Sequence, residues 1–580
     1  MEISTFASAP LANQTKLPFA VSKTKIEAWL HELPEQDAYS SCKEIFYALQ
    51  TINSKDLPVK KVALAMEVIG NYLDVFARPI EQKFIDVGFP LNEEESNHLS
   101  LLVWTYSELA KGFAFCVSEK QFSAEENAFI IYSGLKYLGN TLLYVSMGYE
   151  APFKGFWKLS YQFYQLAKQL DLLEKNISRN SILLGTINRK FRQILCFYHC
   201  GSNQLQPREM KIIYQFLNGY AEQAAIRSKI KQKQASYYLA FDISQDHPPA
   251  RLIDISESEA ENIRYFSTIN VAKAIFHDIQ EQPVGTDILH SVKISLLNII
   301  LKSLSMSQSR KFTRVQEDKA EYGLMGFDDS IHFLRNTKST NSPDKVEITE
   351  YDARIAGIWS APNMELLPEG EEMVQKMWNT LKKDIHHDQK INQIFTTQKN
   401  IACNDNIWSV TMQSKKQDNS LKLGEFTIKN SSINGYGMML KNGHQVRTNI
   451  NDLIGFTNNE DNRIEIGLIR RICKTKHGGI SFGIELMALE AQAICISKQH
   501  NHEKTEWALF LPGIKTLNKP DSIMFSSNQF APGDFICLHQ GIEKIYCRLN
   551  KLLHKTDDIS HVEVYYPATS SANASNSSQR

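Results

Sequence analysis

The sequence has no surplus of charge, since 64 Lys and Arg residues stand against 64 Asp and Glu. This balance excludes a general nucleic-acid coat protein, which needs an excess of cations to bind the phosphate backbone. It leaves room for one small basic pocket. Long apolar runs are also missing: the most apolar stretch, 288–301, is interrupted by His290 and Lys293, which is typical of an amphipathic helix. We therefore expect no membrane span and no partner that is a nucleic-acid polymer.

A secretory leader is absent from the first residues, because no charged segment is followed by an apolar run. The nine cysteines are an odd number and are scattered over the chain. Both features favour a reducing, cytoplasmic location. Cys196 and Cys200 are the one close pair, but no second pair follows at zinc-ligand spacing, so we interpret them as buried core residues.

Signatures of common enzymes are missing as well: there is no GxGxxG, Walker loop, GxSxG or HExxH. His386 and His387 have no third ligand placed by spacing and are interpreted as surface histidines. Asp242, Asp246 and His247 lie close together beside two prolines. A carboxylate near a histidine can perform acid–base catalysis, but a polar turn that caps a helical layer explains these residues better. We expect no enzyme, no metal site and no cofactor.

The hydrophobic pattern changes period along the chain. Helical spacing dominates the first half, for example in the stripe from Val62 through Leu73 and in the stretch from Phe156 to Leu170. Helix is also predicted over 256–280 and 286–305, and a strand over 235–243. Two short strands, EYGLMGF and SIHFL, are predicted around the turn at 328–329. From residue 407 onward, period-two alternation with turn signals indicates antiparallel strands.

These patterns predict a multidomain α+β protein: a helical N-terminal array, then an antiparallel β-barrel, then a small terminal β unit. The expected segments are a loose arm (1–24), a mainly helical domain (25–305), an arginine-containing lead-in with strands (306–338), an irregular insertion or linker (339–404), the barrel (405–498), the terminal β unit (505–567) and a disordered tail (568–580).

Two short motifs carry the chemistry. The segment RKFTR contains Arg310 and Arg314 four positions apart, and the strand-to-strand turn NSSING contains Asn430, Ser432 and Gly435. Arg470 and Arg471 follow on a later strand, where alternation predicts that they face opposite sides and serve as ordinary strand residues. An ordinary Asn-Gly hairpin turn and a solvated basic linker are the alternative interpretations of the two motifs.

In these motifs the chain resembles the PilZ family of cyclic di-GMP receptors, which carry an RxxxR segment before a barrel and a [D/N]xSxxG turn on it. The strands IGLIRR (466–471) and FGIEL (482–486) are also similar to strands of that family. The order of regions looks like that of large proteobacterial PilZ proteins. The resemblance implies a PilZ-like barrel that binds cyclic di-GMP through Arg310, Arg314, Asn430, Ser432 and Gly435.

One spacing differs from the family pattern, because 116 positions separate Arg314 from Asn430. Either the barrel contains a large insertion, or RKFTR matches by coincidence. We expect a cyclic di-GMP effector whose helical region binds an unidentified protein partner; the alternative is a degenerate PilZ-like interaction scaffold that binds no nucleotide.

Overall fold

The computed structural model describes residues 16–118, 121–251, 261–281, 294–305, 314–337, 423–440, 447–458, 463–475, 479–499, 501–514, 517, 519–526, 529–540, 543–556 and 559–566. Several predictions made above fall outside these residues: most of the N-terminal arm, Arg310, the insertion with His386 and His387, and the C-terminal tail.

The first part of the chain is helical, as predicted. Its helices are α1 Lys23–Glu32, α2 Ala38–Ser54, α3 Val59–Glu81, α4 Glu93–Ser118, α5 Ala124–Met147, α6 Phe156–Gln169, α7 Ile187–His199 and α8 Pro207–Tyr220. A hairpin of β1 Ile177–Arg179 and β2 Ile182–Gly185 precedes α7. The predicted stripe on α3 is core, since Val62, Met66, Ile69 and Leu73 are each at most 1% exposed. Burial of such a stripe against neighbouring helices supplies most of a helix's stability.

A small antiparallel sheet follows the helices, and it corrects two predictions. Its strands are β3 Ala225–Arg227, β4 Leu239–Asp242, β5 Ala250–Arg251 and β6 Ile263–Ser267, in the order β3-β6-β4-β5. Only the end of the predicted strand 235–243 is extended, because residues 232–237 form a 3-10 helix. Residues 263–267 were expected in a helix but form β6, which pairs with both β3 and β4. Helices α9 Ile269–Glu281 and α10 Ile294–Leu304 come next.

The expected strand SIHFL is wrong, because these residues lie in helix α11 Phe327–Thr337. Gly326, at a φ of 104°, ends the preceding strand. Asp328 and Asp329 then occupy the first helical turn, where carboxylates interact favourably with the helix dipole. Phe327, Ile331 and Leu334 are buried at helical spacing, so the period is 3.6 and not 2.

The first β unit is a closed six-stranded barrel. Its strands are β7 Val315–Met325, β8 Leu423–Ser432, β9 Gly435–Leu440, β10 Leu453–Asn458, β11 Arg463–Lys474 and β12 Ile480–Ala488, in the order β10-β11-β12-β9-β8-β7. Strand β7 lies before the long insertion and β8 after it, yet the two pair along their lengths. The insertion therefore joins two neighbouring strands of one barrel.

A second closed barrel ends the described chain. It contains β13 Gln492–Lys498, β14 Asn501–Leu511, β15 Ser522–Phe525, β16 Phe535–Gln540, β17 Glu543–Lys555 and β18 Ser560–Tyr565. Strand β13, which the sequence analysis placed in the first β unit, pairs with β14 and β16 and so belongs to this barrel. Helix α11 packs its apolar residues into a shared core with Leu509 and Met524 of the second barrel.

The first barrel also contacts the helical region through backbone bonds. The amide of Phe89 donates to Thr448 O at 2.7 Å, and the amide of Thr448 donates to Phe89 O at 2.8 Å. The amide of Lys474 donates to Tyr149 O at 2.9 Å, and Gln206 Nε2 donates to Ile450 O at 3.2 Å. None of the helices in the described part of the chain combines the length and the apolar character that a membrane crossing requires.

Candidate ligand-binding site

A β-bulge turns the NSSING motif toward the outside of the first barrel. Phe426 and Ile428 on β8 are buried and face the interior. Beyond them the register with β9 shifts by one residue: Ile428 is opposite Met438, but Asn430 is opposite Gly437. Because one extra residue reverses the alternation, Asn430 and Ser432 point outward although their spacing from Ile428 predicts the interior.

The turn after β8 requires glycine at Gly435. Ser432 Oγ donates to Gly435 O at 3.1 Å and closes the turn. Gly435 has a φ of 150°, and a Cβ at this position would lie 1.9 Å from Ile484 O on the neighbouring strand β12. No side chain fits there, so the glycine keeps the turn tight against β12.

The two motifs meet in space. Val315 at the start of β7 is opposite Ser431, and Gln316 is opposite Asn430. Arg314, one residue before β7, donates from Nη1 to Asn430 Oδ1 at 2.8 Å, and both side chains are at the surface. The 116 positions between them therefore reflect an insertion between paired strands. Arg310 lies outside the described residues.

A charged cluster lies beside the turn, and it was not predicted from the sequence. Glu485 on β12 is opposite Gly435 and accepts a bond from Arg470 Nε at 2.8 Å. Burial alone raises the pKa of Glu485, but the charge and hydrogen bond of Arg470, with Lys519 and Lys302, hold that pKa below its usual value. Glu485 is therefore ionised at neutral pH. Arg470 was recognised in the sequence, but its pairing with Glu485 depends on the register between β11 and β12, which the sequence alone does not show.

Arg470 and Arg471 both face outward, which corrects the prediction that they lie on opposite sides. Ile469 is opposite Ile484 and Arg471 is opposite Gly483, so Arg470 is an extra residue in β11. Ile469 and Ile472 on either side are fully buried and face inward. A bulge between two inward residues leaves two outward ones.

The predicted capping turn is confirmed. The carboxylate of Asp246 accepts from the backbone amides of Gly155, Trp157 and Lys158 at the start of α6. His247 contributes its backbone oxygen, which accepts from Tyr161 Oη at 2.7 Å. Asp246 thus satisfies amides that the helix leaves unpaired.

Cys196 and Cys200 are fully buried, and burial raises the pKa of Cys196 to about 12, so its thiol is protonated at neutral pH. Within the described ranges, no three side chains of the His, Cys, Asp and Glu types converge in a way that could hold a metal ion.

Comparison with known families covers almost the whole described chain. Three consecutive models match: "Cyclic-di-GMP receptor FimW, N-terminal domain" over residues 24–232, "Cyclic-di-GMP receptor FimW, middle PilZ domain" over 238–493, and "FimW C-terminal beta-barrel domain" over 492–566. The middle model spans both motifs and every strand of the first barrel. The chain therefore belongs to the PilZ domain family.

The chain is also similar to an individual protein, named "Cyclic-di-GMP receptor FimW", from Pseudomonas aeruginosa. It is 19% identical over 589 residues, which cover 96% of this chain and 92% of the relative. No solved structure matches the chain.

Proposed function

We propose that this protein is a cytoplasmic effector that binds cyclic di-GMP on the outer face of its first barrel. Arg310, Arg314, Asn430, Ser432 and Gly435 form the proposed site. The observation that carries the proposal is the bond from Arg314 Nη1 to Asn430 Oδ1 at 2.8 Å, which joins the two motifs. A relative named a cyclic di-GMP receptor aligns with 96% of this chain, and the PilZ domain model spans both motifs; both support the choice of ligand.

The residue types suit this ligand. A cyclic dinucleotide offers two phosphates, guanine O6 and N7 acceptors and flat aromatic faces, and a guanidinium can bond or stack on all of these. Arg314 has five N–H donors, so it can hold Asn430 and still donate to the ligand. The turn at Gly435 carries no side chain and so allows close backbone approach. Because these cations act locally, a chain without net charge is sufficient.

We further propose that ligand binding is coupled to the helical region, whose surface contacts a protein partner. RKFTR would wrap around the ligand and shift the first barrel against the helices. Support comes from Arg470, which bonds Glu485 opposite the motif glycine and also bonds Asn451 Oδ1. Asn451 lies three residues from Thr448, which pairs with Phe89 of the helical region. The proposal includes no catalytic step and no cofactor.

Isothermal titration of the full chain with cyclic di-GMP tests the site. We expect saturable binding, and about a tenfold loss of affinity or more in Arg314→Ala, because a hydrogen bond to a charged group contributes about 1.5–3 kcal/mol. Arg208→Ala is the matched control, since Arg208 is an exposed arginine that pairs with Asp86 in the helical region. Absence of binding at concentrations that saturate another PilZ receptor would overturn the proposal.

The second candidate is a PilZ-like scaffold that binds no nucleotide. It is favoured by Asn430, whose neutral amide stands where the commoner family residue is an acid. Removing the charge weakens a contact to the guanine N–H edge. The scaffold would be supported over the effector by two results together. The chain would capture the same partner with and without cyclic di-GMP, and the titration would show no binding of the nucleotide.

A further inference from the structure

The bulge in β11 gives its two outward arginines different surroundings. Arg470 is half-buried and holds both Glu485 and Asn451. Arg471 is exposed, and its Nε donates to Cys473 Sγ at 3.2 Å on the same strand. In the part of the chain that the structure describes, no carboxylate forms an ion pair with Arg471. The fold thus uses one arginine as a structural partner and leaves the other at the surface.

Arg471 belongs to a row of residues that crosses four strands of the barrel. Asn430 on β8 is opposite Gly437 on β9, Gly437 is opposite Gly483 on β12, and Gly483 is opposite Arg471 on β11. At the usual spacing of strands, the row is about 14 Å long. Its two ends carry the polar side chains, and its middle carries none.

The end residues lean over the two glycines. A Cβ on Gly437 would lie 2.6 Å from Asn430 Oδ1, and a Cβ on Gly483 would lie 3.1 Å from Arg471 Cβ. Asn430 therefore covers Gly437, and the stem of Arg471 lies beside Gly483. The two side chains lie at opposite ends of this row, and the two glycines between them form a floor that has no side chains of its own. Met438 and Phe482, next to the glycines, are buried and confirm that the row faces outward.

We infer that Arg471 is a further ligand-binding residue, which contacts the dinucleotide at the end of the floor opposite Arg314 and Asn430. The inference rests on the proposed function and extends its site by two strands. A flat base lies most closely on backbone that carries no side chains, and a guanidinium at its edge can stack on the base or bond a phosphate. Lysine provides the same charge without the planar group, so Arg471 is expected to outperform it.

The test compares titrations of cyclic di-GMP with wild-type chain, Arg471→Gln, Arg471→Lys and Arg548→Gln. Arg548 is an exposed strand arginine of the second barrel and serves as the matched control. We expect Arg471→Gln to lose about tenfold in affinity, Arg471→Lys to lose less, and Arg548→Gln to bind like the wild type. Because Arg471 is exposed, all variants should melt near the wild-type temperature.

The outcomes separate this inference from the proposed function. If the wild type binds, Arg314→Ala weakens binding and Arg471→Gln does not, then Arg471 is an ordinary surface residue and this inference fails alone. If Arg548→Gln loses as much as Arg471→Gln, the effect is general electrostatics and the assignment also fails. If the wild type does not bind, the proposed function and this inference fall together.

Discussion

At the scale of a single residue, substitution of Gly435 tests whether steric exclusion costs more than backbone strain alone. Gly435→Ala places a Cβ 1.9 Å from Ile484 O, so we expect a loss of more than about 2 kcal/mol in unfolding free energy and loss of ligand binding. Gly533→Ala is the control, because Gly533 has a φ of 102° with nothing within 4 Å of the added atom. Backbone strain alone costs about 1 kcal/mol there. Equal losses in urea denaturation of the two variants would contradict the steric account.

Single residues also mark how far the sequence could predict the site. Asn430, Ser432 and Gly435 were recognisable because their spacing defines a turn, and the structure brings Arg314 to them. The outward direction of Asn430, and of Arg470 together with Arg471, was not predictable. Each direction depends on a bulge. A bulge is set by the register between two strands, so the alternation of polar and apolar residues along a single strand does not reveal it.

At the scale of an element, helix α6 takes its N-terminal cap from a residue far along the chain. Asp246 accepts from backbone amides of Gly155, Trp157 and Lys158. We expect Asp246→Ala to lower the unfolding free energy by about 2 kcal/mol, since it leaves several donors unpaired near a positive helix end. Asp37→Ala, which removes a single cap bond to Ser40 N at an exposed site, should cost about 0.5–1 kcal/mol.

Chemical denaturation measures both losses, and cyclic di-GMP affinity should stay unchanged in both variants. If Asp246→Ala lost affinity for cyclic di-GMP under conditions in which the variant is fully folded, a purely structural role of Asp246 would be contradicted.

Strand β18 carries a buried histidine, from which we expect a dependence of stability on pH. His561 is 4% exposed, and neither ring nitrogen has a partner among the described residues. Burial, with the positive charges of Lys519 and Arg470 and the neighbouring His554, lowers the pKa of His561 to about 3, while Glu485 opposes the shift. The unfolded chain therefore binds a proton first as the pH falls below 6.5, which destabilises the fold.

The expected contribution of His561 is a loss of about 2 kcal/mol between pH 6.5 and pH 5, at about 1.4 kcal/mol for each pH unit. Melting curves of wild type and His561→Gln across this range check it: the wild type should lose stability more steeply than the variant. Parallel curves would contradict this account, because they would mean that His561 binds a proton as readily in the folded protein as in the unfolded chain.

Elements differ in how well their type could be predicted. The stripes of α3 and α6 are long enough to fix a helical period, and both helices form. SIHFL is five residues long, and a run this short fits either period, so packing of Ile331 and Leu334 against the second barrel decides that it is helical. Residues 263–267 become a strand because β3 and β4 offer pairing partners on both sides.

At the scale of the whole molecule, the first barrel is held against the helical region by backbone bonds that lie near Arg470. These are the reciprocal bonds between Phe89 and Thr448 and the bond from Lys474 N to Tyr149 O. If ligand binding shifts the barrel, the protection of these amides against hydrogen exchange must change. We expect a change of about fivefold or more at Phe89, Thr448 and Lys474 on saturation with cyclic di-GMP, as for a coupling of about 1 kcal/mol. Amides inside α5, which are buried in the helical core, should not respond.

Arg314→Ala at the same ligand concentration should abolish the change, because the site is no longer filled. Protection that stays constant at these amides while the wild-type site is saturated would separate binding from coupling: the barrel would then be a receptor that does not signal through this interface.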